Sequence, residues 1–113
     1  MTTLRVVRDT VQGKKVKKLY KYCCQICRET LAVASGPYAE AAHIRPLGSP
    51  HDGPDTRSNI LCLCPNHHVL FDRGGFTIND DLSLNGLDGR LYKHPQHDIN
   101  KKHIQYHRQR YSD

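Results

Sequence analysis

A chain of 113 residues with 37% hydrophobic content, two Phe and no Trp is one small domain with a thin core, too short to bury a large apolar interior and suited to a metal staple. No stretch approaches the apolar length of a transmembrane helix, and Met1 to Arg8 lacks the apolar region of a signal peptide, so no membrane association is expected. Five cysteines, an odd number, exclude complete pairing within the chain and point to the cytoplasm, where clustered thiols more often bind metal; a net charge of +6 favours a polyanionic partner such as nucleic acid.

Leu4 to Arg8 is a short apolar and basic run, a strand or the tail of a linker. Asp9 and Thr10 are good helix caps, and Val16, Leu19, Tyr20 and Cys23 recur at helical spacing, which predicts an N-terminal helix over 9–23. Its other face carries Lys14, Lys15, Lys17, Lys18 and Lys21, either a solvated surface or one that contacts phosphates. Gly36-Pro37 breaks the chain, and Tyr38 to Arg45 then reads as a strand with Ala41 and His43 on one face and Glu40 and Ala42 on the other. Pro46 to Ser58, rich in Gly, Pro, Ser and Asp, is a loop of a length usually reserved for function or disorder. Ile60 to Leu63 supplies the next strand, and Cys64-Pro-Asn-His67 opens a helix that Gly74-Gly75 ends. Phe76 to Ile78 and Leu82 to Leu84 form a small hairpin, and Asp98 caps a basic helix over 98–111 with Ile104, His107 and Tyr111 as its stripe. His51, His94, His97, His103 and His107 read by default as surface residues.

Two groups of residues carry chemistry. Cys24-Gln-Ile-Cys27 and Cys64-Pro-Asn-His67 are matched knuckles separated by a strand-bearing insert, which is how a small domain builds a closed tetrahedral zinc site of three sulfurs and one nitrogen. Cys62 is an alternative to His67, although Cys-x-Cys spacing on a strand suits a tetrahedron poorly; Cys23 is spare. The second group is His43, Asn59 and His68, with Glu40 and Asp72 beside it. His68 and Asp72 lie four apart on one helical face and can reach a single cation, while a neutral imidazole nearby can take a proton from a water attacking phosphorus.

His43-Ile-Arg-Pro, Asn59 and Leu61-Cys-Leu-Cys-Pro-Asn-His-His-Val-Leu-Phe-Asp-Arg-Gly together resemble an HNH nuclease of the ββα-metal class over roughly Tyr22 to Ile78. The flanks, Arg5-Val-Val-Arg-Asp, Gly36-Pro-Tyr-Ala-Glu-Ala-Ala-His and the His-rich closing helix, resemble the C-terminal nuclease part of restriction enzymes that join a modified-base-reading SRA (YDG) domain to an HNH domain. The resemblance implies a single α+β domain over 1–113, ββα-metal and treble-clef-like, with core 22–78, a structural zinc and flanking helices. It makes His43 the general base, Asn59 the residue that positions the base-bearing loop, and His68 a ligand of the catalytic cation. Asp72 stands where many relatives have a second helical histidine, which favours Mg2+ or Mn2+ while His68 keeps Ni2+ or Zn2+ in play. Ala42 stands where many relatives place another ligand, with Glu40 as its candidate substitute.

The implied activity is hydrolysis of phosphodiesters in DNA, expected to be double-stranded, with Arg45, Arg57 and Arg73 as phosphate contacts and weak sequence preference. Specificity is then expected from a fused or partner domain or from a homodimer. Two further readings remain open on the residues alone: a non-catalytic zinc module that binds nucleic acid, and an RNase of the same fold.

Overall fold

The computed structural model describes residues 9–112, so the Leu4 to Arg8 run lies outside the described residues. Helix α1 (Val11–Leu19) starts on Thr10, whose hydroxyl accepts from the Gly13 amide, and it buries Val16. It is shorter than the expected 9–23 because Lys21 and Tyr22 take left-handed backbone (φ 53° and 62°), turning the chain off the helix axis and into the first knuckle. Gly13 serves packing: a Cβ there would lie 2.8 Å from the Ala41 Cβ, so its absence lets α1 rest directly on the neighbouring strand.

The sequence shows no sign of strand β1 (Leu31–Val33), all exposed, which pairs antiparallel with β2 (Gly36–Tyr38). Gly36 and Pro37 therefore lie inside a strand instead of breaking the chain; Pro37 is tolerated because the ladder has only two strands and leaves it exposed. The strand expected from Tyr38 to Arg45 is split, and β3 (Glu40–His43) pairs antiparallel with β4 (Ile60–Leu63), from Glu40↔Leu63 to His43↔Ile60.

The alternation of β3 and β4 sends side chains into two apolar clusters. Ala41, Ile60 and Cys62 pack with Val16 and Tyr20 of the α1 region. Ala42, Leu61 and Leu63 pack with Phe71 of helix α2 (Pro65–Asp72), and Phe76, Ile78, Leu91, Ile99 and Ile104 complete that second cluster. The hairpin after α2 is β5 (Thr77–Ile78) with β6 (Leu84–Asn85), whose second strand starts two residues and ends one residue later than expected. Helix α3 (Lys101–Arg110) is capped by Asn100, whose side chain accepts from the Lys102 amide, not by Asp98. The later start follows from anchoring: Ile99 is buried and the Asn100 amide donates to the Ser58 carbonyl, so the chain is pinned before the helix begins.

His97 and His107 are not surface residues; each is 2% exposed. The His97 Nδ1 accepts from the Tyr20 hydroxyl (2.5 Å) and its Nε2 donates to the Arg57 carbonyl (2.8 Å). His107 lies flat on Phe71, with ring centroids 3.7 Å apart, and its Nε2 donates to the Phe71 carbonyl. Three of the four ring nitrogens are bonded, joining α3 and the segment before it to α1, α2 and the β3–β4 loop, while the buried His107 Nδ1 has no hydrogen-bond partner among the described residues and that ring is held by its stacking on Phe71.

Candidate active site and metal centre

The ligand atoms of Cys24, Cys27, Cys64 and His67 all lie within 4.8 Å of one another, a cluster that one tetrahedral cation can draw together. The helix start prepares it: Cys64 is the cap of α2, its sulfur accepts from the His67 amide, and the His67 Nδ1 lies 3.2 Å from Cys64 Sγ and 3.7 Å from Cys24 Sγ. Burial pushes the Cys24 thiol up to about 12, so a bare thiolate is unfavourable there and a dication is what would support it. Burial also lowers the His67 pKa, favouring the neutral imidazole that a metal needs. Cys62 does not join this group. It points to the α1 side of β4, fully buried, with its thiol pushed by burial up to about 12.

Sequence reasoning passed over Gln25, which ties the first knuckle to the fold. Its backbone amide donates to the Cys62 carbonyl and its side-chain oxygen accepts from the Cys62 amide, both at 2.8 Å, while its side-chain nitrogen donates to the Tyr92 carbonyl. A buried glutamine with both ends used in this way holds the knuckle against β4 as an extra half-rung of sheet would.

On the other side of α2, a cleft of about 390 Å³ is lined by His43, His68, Asp72 and Arg110, with Pro46 to Gly48 at its rim. The His68 ring is held at both nitrogens: Nδ1 lies 2.9 Å from Glu40 Oε1 on the buried side, and Nε2 lies 3.2 Å from Asp72 Oδ2 on the exposed side. Glu40, 3% exposed, also accepts from the Tyr38 hydroxyl at 2.7 Å. Glu40 thus orients His68 through Nδ1, and Nε2 and Asp72 are the pair able to share a cation. Ala42 lies beneath them, fully buried in the apolar cluster.

Asn59 is fully buried and its side chain makes three hydrogen bonds. Its oxygen accepts from the Arg45 amide, and its nitrogen donates to the Arg45 and Pro54 carbonyls, all between 2.8 and 2.9 Å. It therefore fastens the backbone two residues beyond His43 to the far end of the long loop. Gly53 lies in the same knot; a Cβ there would come within 2.1 Å of the Arg45 carbonyl oxygen. Arg45 itself is turned to structure, its Nε donating to the His51 carbonyl and its guanidinium 4.4 Å from the Tyr106 ring centroid. Arg57 and Arg73 are exposed. Asp55 and Arg110 were not anticipated at the site: Asp55 Oδ1 is 2.9 Å from His43 Nε2, and Arg110 reaches the cleft from the end of α3. Neither contact follows a helical or strand period, so nothing local in the sequence singles them out.

A family model described as HNH endonuclease matches residues 24–79, the stretch holding both ligand groups and Asn59. The chain carries an HNH endonuclease domain. Among solved structures it is similar to a chain titled "Modification dependent TagI restriction endonuclease", with 48% identity, a TM-score of 0.88, and coverage of 94% of this chain but 39% of that one. The likeness is thus to part of that enzyme. Among curated proteins nothing matches.

Proposed function

We propose that this chain is the cation-dependent nuclease unit of a modification-dependent restriction enzyme, hydrolysing phosphodiester bonds of double-stranded DNA with little sequence preference of its own. The observation that carries the reading is the convergence of His43 and the His68–Asp72 pair on one cleft. His43 takes the proton of the attacking water. His68 and Asp72 hold a divalent cation, Mg2+ or Mn2+ by the hardness of the carboxylate, with Ni2+ or Zn2+ compatible with the imidazole. A cation bound there would stabilise the charge growing on the phosphate and its leaving oxygen. The Cys24, Cys27, Cys64 and His67 cluster holds zinc as a structural ion. Arg57, Arg73 and the exposed Lys14, Lys15 and Lys18 of α1 contact phosphates, and Arg45 does so only if its loop contacts yield. Target choice comes from a fused or partner domain or from dimerisation, in a reducing cytoplasm that suits five free thiols. No helix among the described residues is long and apolar enough to cross a membrane.

The test incubates supercoiled plasmid and structured RNA with wild type and His43→Ala, in EDTA, Mg2+, Mn2+, Ni2+ or Zn2+. Plasmid nicking that needs a cation and falls by about 10² or more in His43→Ala is expected. Equal nicking by the variant removes His43 as base; faster cutting of RNA makes the chain an RNase; binding without cleavage in every metal makes it a zinc-stabilised binding module. Cutting at one defined sequence refutes the weak-preference part.

A further inference from the structure

We propose that Asp55 is a positioning residue for His43, fixing the imidazole with its proton on Nε2 so that Nδ1 is the nitrogen that accepts the proton of water. The proposal deepens the reading of His43 as base and rests on it. Its starting point is the 2.9 Å contact between His43 Nε2 and Asp55 Oδ1. The hydrogen bond from His43, only partly offset by desolvation, holds the Asp55 carboxyl below the usual carboxylate range. An ionised carboxylate only accepts, so Nε2 is the donor, and in a neutral imidazole Nδ1 then keeps the lone pair. When Nδ1 takes a proton from water, the hydroxide oxygen bonds to phosphorus as the bond to the leaving oxygen breaks, that oxygen takes a proton from solvent, and the ring becomes an imidazolium already paired with an anion.

The carboxylate is itself aimed by helix α1. The Thr10 hydroxyl donates to the same Asp55 Oδ1 at 2.9 Å and accepts from the Gly13 amide at 3.1 Å, so one side chain caps the helix and orients Asp55. Gly13 seats that first turn on Ala41, two residues before His43. The chain of contacts runs from the cap of α1 to the Asp55 carboxylate to His43 at the end of β3. A contribution to stability alone accounts poorly for it, because the Asp55 side chain is 38% exposed and pairs of that kind give little. The His43 side chain is by contrast 8% exposed, so few rotamers are open to it and the direction of one hydrogen bond decides which nitrogen is free.

The experiment uses the whole chain. Single-turnover nicking of supercoiled plasmid is measured for Asp55→Asn in the wild-type and His43→Ala backgrounds, with duplex binding followed separately in EDTA. About a tenfold or larger rate loss in the wild-type background, little further loss once His43 is absent, and unchanged binding are expected. Equal losses in both backgrounds would make Asp55 merely structural and overturn the proposal. A second measurement needs no activity: long-range proton–nitrogen NMR of the wild-type imidazoles at alkaline pH, with the His43 signal assigned by its absence in His43→Ala. The Nε2–H tautomer is expected, and the Nδ1–H tautomer overturns the proposal even if Asp55→Asn fails to fold. The two readings fail separately. A fully active His43→Ala removes the base assignment and this proposal with it, whereas an inactive His43→Ala beside a fully active Asp55→Asn removes the role of Asp55 alone.

Discussion

His67 and His68 are adjacent on α2 yet belong to opposite kinds of site. His67 turns its Nδ1 to sulfurs at 3.2 and 3.7 Å, in a cluster that offers four ligand atoms, the full complement of a tetrahedral site. His68, about 100° further round the helix, meets only carboxylates, Glu40 on the buried side and Asp72 on the exposed side, beside an open cleft. A closed set suits an ion that holds the fold, whereas a two-residue set leaves room for water and a phosphate oxygen. Because one peptide bond joins them, an ion held by the Cys24, Cys27, Cys64 and His67 cluster would also set the helix phase that aims His68.

The most severe way to break this comparison is to remove a knuckle ligand. Cys64→Ser takes away both a sulfur ligand and the cap of α2, so zinc content, the cooperative thermal transition and all nicking should be lost, and added Mg2+ or Mn2+ should not restore cleavage. A variant that lacks zinc yet melts and cuts normally would show that the two sites are independent. A milder break falls on the other side of the helix. His68→Ala should abolish cation-dependent nicking with the melting curve nearly kept. Glu40→Gln, which spares the cleft and alters the partner of Nδ1 along with the acceptor of the Tyr38 hydroxyl, should weaken the apparent cation affinity by about 10- to 100-fold and recover at high Mn2+. If Glu40→Gln instead collapses the fold, Glu40 belongs with the knuckle side as a structural group.

The comparison also marks what the sequence reveals. The knuckle residues and the His68–Asp72 pair obey short fixed spacings, so their co-location is legible without coordinates; the same holds for the β3–β4–α2 order that sets them back to back. Element ends are less legible, because α1 stops at left-handed Lys21 and Tyr22 and α3 starts after the anchored Ile99, both settled by tertiary contacts. Strand β1 is invisible because all three of its residues are exposed and no alternation marks them. Asp55, Arg110 and Gln25 reach their partners through a loop, a helix end and a buried side chain, contacts between residues 12 to 67 positions apart or met only in the folded cleft. The buried His97 and His107 mislead for a related reason: histidine is polar by type, and partners distant in sequence, the Arg57 carbonyl and Tyr20 hydroxyl for one and the Phe71 carbonyl and ring for the other, make burial tolerable.

Those two histidines, buried outside both sites, give a smaller effect on stability. Burial lowers the pKa of both His97 and His107, so each is neutral in the fold and would protonate more readily in the unfolded chain, near pH 6.5. The unfolded state then binds more protons between the two pKa values, so the stabilisation is complete above about 6.5 and is lost as pH falls through the folded values. The urea midpoint should be lower at pH 5.5 than at 7.5, and His97→Gln should flatten part of that slope. The depressed carboxylates Asp55, Asp80 and Asp81 add acid sensitivity only below their ordinary range near 4, so they do not imitate it. A flat profile from 7.5 to 5.5 would mean that neither ring is held as its contacts indicate.

The smallest effect separates two arginines that the sequence alone cannot rank. Arg110 is exposed at the end of α3, lines the cleft beside His43 and Asp72, and is stacked loosely on Tyr111 at 5.0 Å, so its guanidinium is available to a phosphate. Arg45 is half-buried, bonded to the His51 carbonyl, and packed on Tyr106, so binding DNA through it would first undo the loop. Each phosphate contact contributes about 0.9 to the slope of log affinity against log salt on duplex DNA. With a short duplex in EDTA, Arg110→Gln should lower that slope by about one contact and leave the melting temperature nearly unchanged. Arg45→Gln should do the reverse, lowering the melting temperature while the salt slope stays. The opposite pattern would place the phosphate track along the long loop instead of the end of α3, and the cleft wall that faces DNA would then be the one Asn59 holds in place.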